Sequence, residues 1–484
     1  MAVYTFPDVY IEKQKSTIPN VAIASSNATT GGFIGRAPRG VRNTPVKIAS
    51  WQGYLNAFAK GIVNPFEMDS YLAYCVYNFF ANGGTELYVL NATDGKEKSA
   101  KASLTAGSSS FVIEAGDAGA WGNKLWLSVK YAGENDEPSD GTGTYNVYIY
   151  LGDTADEDTL VDQFLGVTSA TVYNAISAST TGYVKHTFSE STKLASTESP
   201  IQFTGGSDGG SVTDYATVLT AFDKIDDISM LALADSGTVV DDTALITYCT
   251  KRDDVVAIMG VESEKTTPDE VLTKYKDIVG RGFIAYPWTG FTDPISGEVK
   301  LIPNQGKVMG EIVRSITTRG LGKVPAGVNS VLIGAVSVAT ELDDVTAGKL
   351  NNANVACIMN KKGYGIVMWG GRSRLDGRYI NGLLLETMIS RDLYNGLQPY
   401  VFEPNEPTTW KNARRTCNTY MNDLWKNKAF KEGQASEVYL VTCDETNNTA
   451  ESIADHILNV YVAYAEKGCA EFVVVKLSRE LSAE

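Results

Sequence analysis

Length, composition and charge indicate a large folded protein and exclude several functional classes. The chain has 484 residues, of which 43% are hydrophobic and 20% charged. This composition is typical of a globular protein of about three domains rather than of a disordered chain. The formal net charge of −15 argues against nonspecific binding to nucleic acid or to an anionic membrane, because both favour a positively charged protein.

The termini, cysteines and histidines predict neither export nor a metal site. The N-terminal sequence lacks the basic start and apolar core of a secretory signal, and no apolar run approaches the roughly 20 residues that span a bilayer. The six cysteines are scattered without a CxxC pair, so we expect reduced thiols. The two histidines, His186 and His456, are far from any cysteine pair, so no structural zinc site is predicted.

Residues 1–22 are predicted to form an extended segment. Apolar residues alternate with polar ones on both sides of a proline, and both features disfavour a helix. The apolar members are Val3, Tyr4, Phe6, Val9, Tyr10 and Ile11. They are too few to form a core, so the segment must dock onto another surface or remain loose.

Residues 23–100 predict the first part of a core domain. A strand is expected at 30–35 and another at 87–90. Between them, Asp69 or Ser70 can cap a helix that ends at the glycines after Asn82. The apolar face of this helix has helical spacing and comprises Leu72, Cys75, Val76, Phe79 and Phe80.

Residues 101–205 differ in composition and predict an inserted β-rich domain. Glycine, serine, threonine and aspartate are frequent, and short strand-like runs occur at 111–113, 125–127 and 145–150. The segment ends in the glycine-rich run 205–210. Glycines let backbone N–H groups approach an anion, but the run lacks the Lys-Ser/Thr of a phosphate loop and contains Asp208, so we interpret it as a linker.

Residues 206–345 predict an α/β core domain. Helical patterns at 215–225, 267–280 and 307–319 alternate with strand patterns, and Thr267 and Pro268 supply the expected helix cap and first-turn proline. The predicted strands cover 228–233, 255–261, 283–286 and 299–301. Alternating elements of this kind form layers of helices against a sheet.

Residues 346–484 predict a C-terminal inner domain that ends in a strand arm. Strands are expected at 356–359, 365–369 and 437–442, and helices at 379–394 and 408–428. Two further strands are predicted on either side of the polar break 466–468. The first contains Val460 and Val462, and the second is apolar almost throughout, with Phe472, Val473, Val474, Val475 and Leu477. The edge of so apolar a strand should be covered by this chain's own strands or by strand addition from another chain.

These segments together predict an α/β (α+β) multidomain fold. It comprises α/β layer core domains, an inserted β-rich domain and extended N- and C-terminal arms. The predicted boundaries are 1–22 for the N-terminal arm, 23–100 and 206–345 for the core, 101–205 for the insertion, and 346–484 for the inner domain.

Residues with catalytic chemistry are present but form no convincing constellation. Neither histidine lies in a nucleophile elbow. Four acidic pairs fall at element boundaries, where carboxylates favour helix starts and solvated turns: Asp226-Asp227, Asp241-Asp242, Asp253-Asp254 and Asp343-Asp344. We therefore predict no catalytic, cofactor-binding or metal-binding residue and no cofactor.

One predicted helix, 408–428, has an unusual basic face. Its basic side carries Lys411, Arg415, Asn418, Asn422 and Lys426, and its opposite side carries Trp410, Cys417, Tyr420, Met421 and Leu424. Such a face is usually solvated. In a chain of charge −15 it is also a candidate docking surface for an acidic protein partner.

Several short segments resemble one family in the family's own order. They are residues 6–12 (FPDVYIE), 18–19 (IP), 32–40 (GFIGRAPRG), 51–58 (WQGYLNAF), 79–84 (FFANGG), 205–209 (GGSDG), 369–373 (WGGRS) and 378–381 (RYIN). With these segments the chain resembles the sheath proteins of contractile phage tails and related particles, such as R-type bacteriocins. Ser373 departs from the family's threonine, and the 101–205 segment matches poorly.

The resemblance implies a structural subunit without an active site. Such a subunit polymerises helically around a tail tube and contracts to drive the tube through a target cell envelope. Implied partners are further copies of the chain in stacked rings, the tail tube protein, and baseplate and terminator proteins, without direct nucleic-acid binding or membrane insertion. The implied location is the sheath of a virion or bacteriocin-like particle, assembled in the bacterial cytoplasm.

The resemblance also implies roles for particular residues. The N- and C-terminal arms join neighbouring subunits by strand addition, which assigns this role to the apolar residues of 3–11, to Val460 and Val462, and to 472–477. A basic helix of the inner domain contacts the acidic tube, which points to Lys411, Arg414, Arg415 and Lys426.

Two alternatives remain open from the residues alone. One is an α/β enzyme that binds a nucleotide or sugar at the carboxyl ends of strands 228–233 and 255–261. The other is an adhesin or receptor-binding protein centred on the 101–205 segment.

Overall fold

The computed structural model describes residues 23–26, 28–106, 109–134, 137–138, 143–186, 193–235 and 238–471. They fall into two compact units. The smaller contains residues 23–26 and 389–468, and the larger contains residues 28–388 and 469–471. Helices and strands alternate within them, which confirms the predicted mixed fold class. The predicted domain boundaries stay a prediction.

The strands of the described residues number twenty. They are β1 (Gly31–Gly35), β2 (Val46–Ile48), β3 (Leu87–Asn91), β4 (Lys101–Ala106), β5 (Ser109–Ala115), β6 (Leu125–Tyr131), β7 (Tyr145–Leu151), β8 (Leu160–Val167), β9 (Val184–His186), β10 (Ile201–Gln202), β11 (Met230–Leu233), β12 (Val256–Met259), β13 (Gly282–Tyr286), β14 (Thr289–Thr292), β15 (Val299–Ile302), β16 (Ala335–Val338), β17 (Val355–Lys361), β18 (Gly365–Trp369), β19 (Tyr439–Thr442) and β20 (Tyr461–Tyr464).

The α-helices of the same residues number twelve. They are α1 (Trp51–Phe58), α2 (Leu72–Ala81), α3 (Val172–Ala178), α4 (Tyr215–Leu219), α5 (Val239–Arg252), α6 (Pro268–Lys274), α7 (Gln305–Arg319), α8 (Asp344–Asn352), α9 (Ile380–Leu397), α10 (Pro407–Lys426), α11 (Ala435–Val438) and α12 (Ala450–Ala454). Short 3₁₀ turns occur at Ala120–Lys124, Glu157–Thr159, Thr220–Phe222 and Gln398–Tyr400.

The larger unit is built on an eight-stranded sheet with the order β18-β17-β13-β12-β11-β1-β3-β2. Its six inner strands are parallel, and β18 and β2 are antiparallel edge strands. The inner strands are apolar along nearly their whole length because a parallel sheet is buried on both faces. In the register of the sheet, Phe33 of β1 lies between Ala232 of β11 and Val89 of β3. The sheet thus takes strands from the segments 23–100, 206–345 and 346–484.

Two helices of the larger unit pack unusually closely. Gly306 and Gly310 of α7 face α2, where an added Cβ would overlap the backbone carbonyls of Cys75 and Phe79. Glycine is therefore required at both positions for this helix spacing. The predicted helices correspond to α2 and α7, although α7 begins two residues before the predicted start at 307.

The helix predicted at 267–280 is shorter than expected. Thr267 and Glu270 form the reciprocal capping arrangement at its start, and Pro268 is its first residue. The helix α6 ends at Lys274, six residues before Gly280. The helix predicted at 215–225 is likewise reduced to α4 and a 3₁₀ turn ending at Phe222.

Two antiparallel sheets lie within the 101–205 segment. One has the order β10-β6-β7-β8 and the other β4-β5-β9, and they share one apolar core. Phe111, Leu127 and Val147, which lie in the predicted strand-like runs, are fully buried in it. The β character predicted for 111–113, 125–127 and 145–150 is confirmed.

Arg39 ties this β-rich segment to the first part of the chain. Its guanidinium donates to the Asp117 carboxylate at 3.0 Å and to the Gly182 carbonyl at 2.7 Å. The guanidinium also stacks 4.0 Å from the centre of the Trp121 ring. Because Arg39 is almost completely buried, these contacts form a fixed connection rather than a surface ion pair.

The smaller unit packs α10 against a small core with Tyr400, Trp410 and Cys443. Its two-stranded antiparallel sheet pairs β20 with β19, and Val462 lies opposite Val441. The expected partner of β20 in a terminal hairpin, residues 472–477, lies outside the described residues. The strand predicted at 437–442 is shortened to β19, because residues 435–438 form the one-turn helix α11.

Candidate assembly surfaces and arm anchors

The carboxyl ends of β11 and β12 are occupied by the chain's own side chains. Asp235 follows β11 and accepts hydrogen bonds from the backbone N–H groups of Arg36 at 2.9 Å and Tyr71 at 2.6 Å, and from the Ser70 hydroxyl. Burial raises the pKa of the Asp235 carboxyl. The Trp288 indole donates to the Val261 carbonyl at 2.9 Å next to β12. Asp235 and the Val261 carbonyl at these strand ends are therefore used in internal hydrogen bonds.

The glycine-rich run 205–210 is also saturated internally. The Asp208 carboxylate accepts from the Ala120 N–H at 2.7 Å, and the Asp94 carboxylate accepts from the Gly210 N–H at 2.8 Å. The Asn123 side chain accepts from the Gly206 N–H at 2.8 Å. Carboxylates at this position would repel a phosphate. The linker role of this run stays a prediction.

Members of three of the four acidic pairs have the following structural partners. Asp227 accepts from Lys47 at 2.7 Å, Asp254 from Arg252 at 2.6 Å, and Asp253 from Arg281 at 3.1 Å. Asp343 caps α8. Among the described residues, no group of three or more His, Cys, Asp or Glu side chains is arranged to hold a metal ion. All six cysteines are free thiols.

The chain is anchored where it enters the described structure. The backbone N–H of Ser26 donates to both carboxylate oxygens of Asp392 on α9, at 3.0 and 3.1 Å. The Tyr420 hydroxyl donates to the same carboxylate at 2.7 Å. Asp392 is 2% exposed, so its charge is satisfied by these donors rather than by water. We call this contact the N-terminal anchor.

A second anchor lies directly before residues 472–477. Arg372 donates two parallel hydrogen bonds to the Glu471 carboxylate, from Nε at 2.8 Å and from Nη2 at 2.6 Å. The bond to Arg372 is the main reason that the pKa of Glu471 lies below its usual value. Bidentate pairs of this geometry are the strong form of ion pair. We call this contact the C-terminal anchor.

The two anchors explain one motif and add residues that the sequence did not single out. Arg372 lies in the segment 369–373 that carried part of the resemblance, but its partner Glu471 was not predicted. Asp392 and Ser26 are 366 residues apart, and nothing in the helical pattern of α9 marks Asp392 as an anchor. The apolar residues of 3–11 and 472–477 lie outside the described residues.

The sheet of β19 and β20 presents unpaired edges within the described part of the chain. Val462 lies in β20 and is half-buried, and Val460 precedes the strand and packs against the core that contains Tyr400. Exposed strand edges are suited to accept another strand. The assignment of Val460 and Val462 to an intersubunit joint stays a prediction.

The basic face of α10 is exposed as predicted. Lys411, Arg414, Arg415 and Lys426 are exposed, whereas Cys417 and Met421 on the opposite side are fully buried. The face is less purely basic than expected, because Lys426 lies 3.4 Å from Asp423 and Arg414 lies 3.6 Å from Asp444. Contact of this face with a tube stays a prediction.

This architecture matches solved structures of other proteins, although no family model and no curated protein matches the sequence. The contracted helical sheath of the anti-feeding prophage matches with a TM-score of 0.61 and 18% identity, covering 99% of this chain and 100% of that chain. The contracted PVC sheath of an extracellular contractile injection system matches with a TM-score of 0.60 and 17% identity, covering 99% of both. The chain has the fold of the contractile sheath proteins.

A third sheath fold supports the same conclusion. The crystal structure of a sheath tail protein from Listeria innocua has a TM-score of 0.62 and 12% identity, covering 92% of this chain and 97% of that one. The sheath fold therefore extends over almost the whole length of the chain. This confirms the resemblance predicted from the ordered motifs. No helix among the residues that the structure describes is long and apolar enough to cross a bilayer.

Proposed function

We propose that the chain is the structural subunit of a contractile sheath that polymerises helically around a tail tube and contracts to drive the tube through a cell envelope. The observation that carries the proposal is the full-length match to sheath chains of two contractile particles. The internally filled strand ends support a role without catalysis.

The proposed joints between subunits are strand additions by the two arms. Residues 1–20 and 456–480 supply the strands, and the unpaired edges of the β19–β20 sheet and the two anchors support this assignment. Each backbone hydrogen bond of such a joint contributes about 0.5–1.5 kcal/mol. A joint of several such bonds therefore stays formed while the contacts between domain surfaces are exchanged. Joints then persist through contraction while domain surfaces slide.

The remaining partners follow from the same proposal. The exposed basic face of α10 supports contact with an acidic tail tube, through Lys411, Arg414, Arg415 and Lys426. The ends of the sheath contact a baseplate and a terminator protein. The subunit assembles in the bacterial cytoplasm and resides in the sheath of a virion or bacteriocin-like particle.

Negative-stain electron microscopy of the purified full-length chain tests the proposal directly. We expect hollow tubes of helically stacked subunits, in the extended or contracted form. Globular particles alone, over a wide range of protein concentration and salt, would contradict a sheath role.

The arm joint has its own test at constant chain length. Replacing Val3, Phe6, Val9 and Ile11 by serine is expected to abolish tubes, because the arm loses the apolar side chains that fill the neighbouring edge. The matched control replaces the polar residues Thr5, Asp8 and Glu12 by serine and should still form tubes. Tubes that form equally well from both variants would rule out the arm joint but not the sheath role.

A further inference from the structure

A groove on the smaller unit has no occupant within the described residues. Its volume is about 870 Å³, and ten residues within the ranges 397–405 and 456–460 line it. Leu397, Leu458 and Val460 form its floor, where they are half-buried and pack against the core that contains Tyr400. A cavity of this size and apolar character suits a short peptide segment with large side chains.

The rim of the groove carries an aromatic residue in an unfavourable position. Phe402 is fully exposed to solvent, and its backbone has φ of +69°, in the left-handed region. This conformation costs a residue with a Cβ about 1–2 kcal/mol, and full exposure returns no packing energy. Val401 beside it is also exposed. Strain and apolar exposure at one rim indicate a surface that a partner covers.

The described chain begins next to this groove. Ile23 packs against Gly396 of α9, where an added Cβ would overlap its side chain, and Leu397 of the groove floor is the next residue. The N-terminal anchor at Asp392 fixes this start of the chain. The described chain therefore begins beside Gly396, the residue that precedes Leu397 of the groove lining.

Length and chemistry both fit these residues to the groove. Ile11 is 12 residues before Ile23, and an extended chain spans about 3.3–3.6 Å per residue, so residues 3–11 can reach any point of the lining. They carry Val3, Tyr4, Phe6, Val9, Tyr10 and Ile11. A segment tethered this closely has an effective concentration of about millimolar, well above that of a second copy in dilute solution.

We propose that in the free subunit this groove binds residues 3–11 of the same chain. The segment is thereby stored on its own subunit, and Phe402 is covered by it. Assembly then requires the segment to leave the groove and join a neighbouring subunit. This consequence for assembly rests on the proposed sheath function, whereas the intramolecular contact itself does not.

Cysteine cross-linking in the full-length chain tests the contact. Thr5→Cys, which keeps all apolar side chains of the segment, is combined with Val401→Cys at the groove rim, in a Cys469→Ser background because Cys469 is the exposed native thiol. The matched control pairs Thr5→Cys with Asn418→Cys, which is exposed on α10 outside the groove lining. After mild oxidation, mass spectrometry of the monomer band measures the 5–401 disulfide.

We expect at least a tenfold higher yield of the intramolecular disulfide for the groove pair than for the control, independent of dilution. Adding Phe402→Asp should lower that yield severalfold. Equal yields for the two pairs, or disulfides found only in dimers, would overturn the proposal. Dimers would identify a second copy as the occupant, and the absence of both products would leave the groove to another protein.

The same samples separate this proposal from the sheath role. The oxidised groove pair should form at least tenfold fewer tubes than its reduced form, and reduction should restore them. If tubes form but oxidation of the free subunit never yields the intramolecular disulfide, storage is contradicted and the sheath role stands. The disulfide without tubes from the reduced or native chain would support storage and contradict the sheath role.

Discussion

At the scale of single residues, one lysine buries its side-chain amine away from water. Lys307 at the start of α7 is fully buried and donates from Nζ to the Thr289 hydroxyl at 3.0 Å. The ammonium also lies 5.3 Å from the centre of the Phe291 ring. Burial lowers the pKa of Lys307 to about 7, because no carboxylate among the described residues offsets the loss of water.

Replacing this amine should stabilise the protein. Since the unfolded chain binds the Lys307 proton up to about pH 10.5 and the folded chain only to about pH 7, stability contributed by this site rises with pH between these values. Lys307→Met should therefore raise the free energy of unfolding at pH 7 by on the order of 1–3 kcal/mol. It should also reduce the change in the free energy of unfolding between pH 7 and pH 9, as measured by denaturant titrations at both pH values. A loss of stability at both pH values would contradict this account.

The C-terminal anchor predicts a second pH dependence of stability. It comes from a favourable ion pair rather than from the cost of burying a charge. The pKa of Glu471 is lowered in the folded protein, so its contribution is complete above the usual carboxyl pKa and is lost as the pH falls through the folded value. Arg372→Gln should lower the free energy of unfolding by about 1–2 kcal/mol at pH 7. The difference from the parent protein should shrink toward pH 3. Lys467→Gln, a nearby substitution without a role in the anchor, should show no such convergence.

At the scale of elements, the spacing of α2 and α7 depends on glycine. Gly310→Ala places a methyl group against the Phe79 carbonyl and Asn82, so the helices must separate. We expect a loss of about 2–4 kcal/mol in the free energy of unfolding, measured by chemical denaturation. The control is Gly348→Ala in α8, where the added methyl meets open space and should stabilise by about 0.5–1 kcal/mol. Similar losses for both variants would show that the α2–α7 contact is not the cause.

Elements with clear periodicity could be predicted from the sequence, and their partners could not. The apolar stripes of α2, α7 and α10 and the buried runs of β11, β12 and β17 gave correct element types. Helix α5 was missed because acidic residues interrupt its apolar spacing, and β14 was missed because glycine and proline surround a short run. The anchors at Asp392 and Arg372 depend on partners that are 366 and 99 residues away, and pairing over such separations cannot be predicted from one sequence.

At the scale of the whole molecule, defined side-chain contacts join the β-rich segment of the larger unit to the first part of the chain. Arg39 contributes several of them, through Asp117, Gly182 and Trp121. Arg39→Ala should leave the main sheet intact and increase the mobility of the β-rich segment. Hydrogen exchange should then rise at least tenfold near residues 117–121 and 182–184, with little change in β11 and β12. The control Lys124→Ala, on the same segment, should leave both regions unchanged.

The two anchors leave different lengths of chain before the two proposed arm strands. Under the proposed function, a strand formed by residues 472–477 would begin directly after Glu471 with no spare chain. By contrast, residues 12–22 separate Ile11 from Ile23, and in the proposed joint they would provide a leash of up to about 40 Å on the N-terminal side. In a sheath whose subunits rotate and move outward, the N-terminal leash would take up the change in distance between neighbours. The length of this leash, rather than the strength of any one contact, would then limit how far the sheath expands.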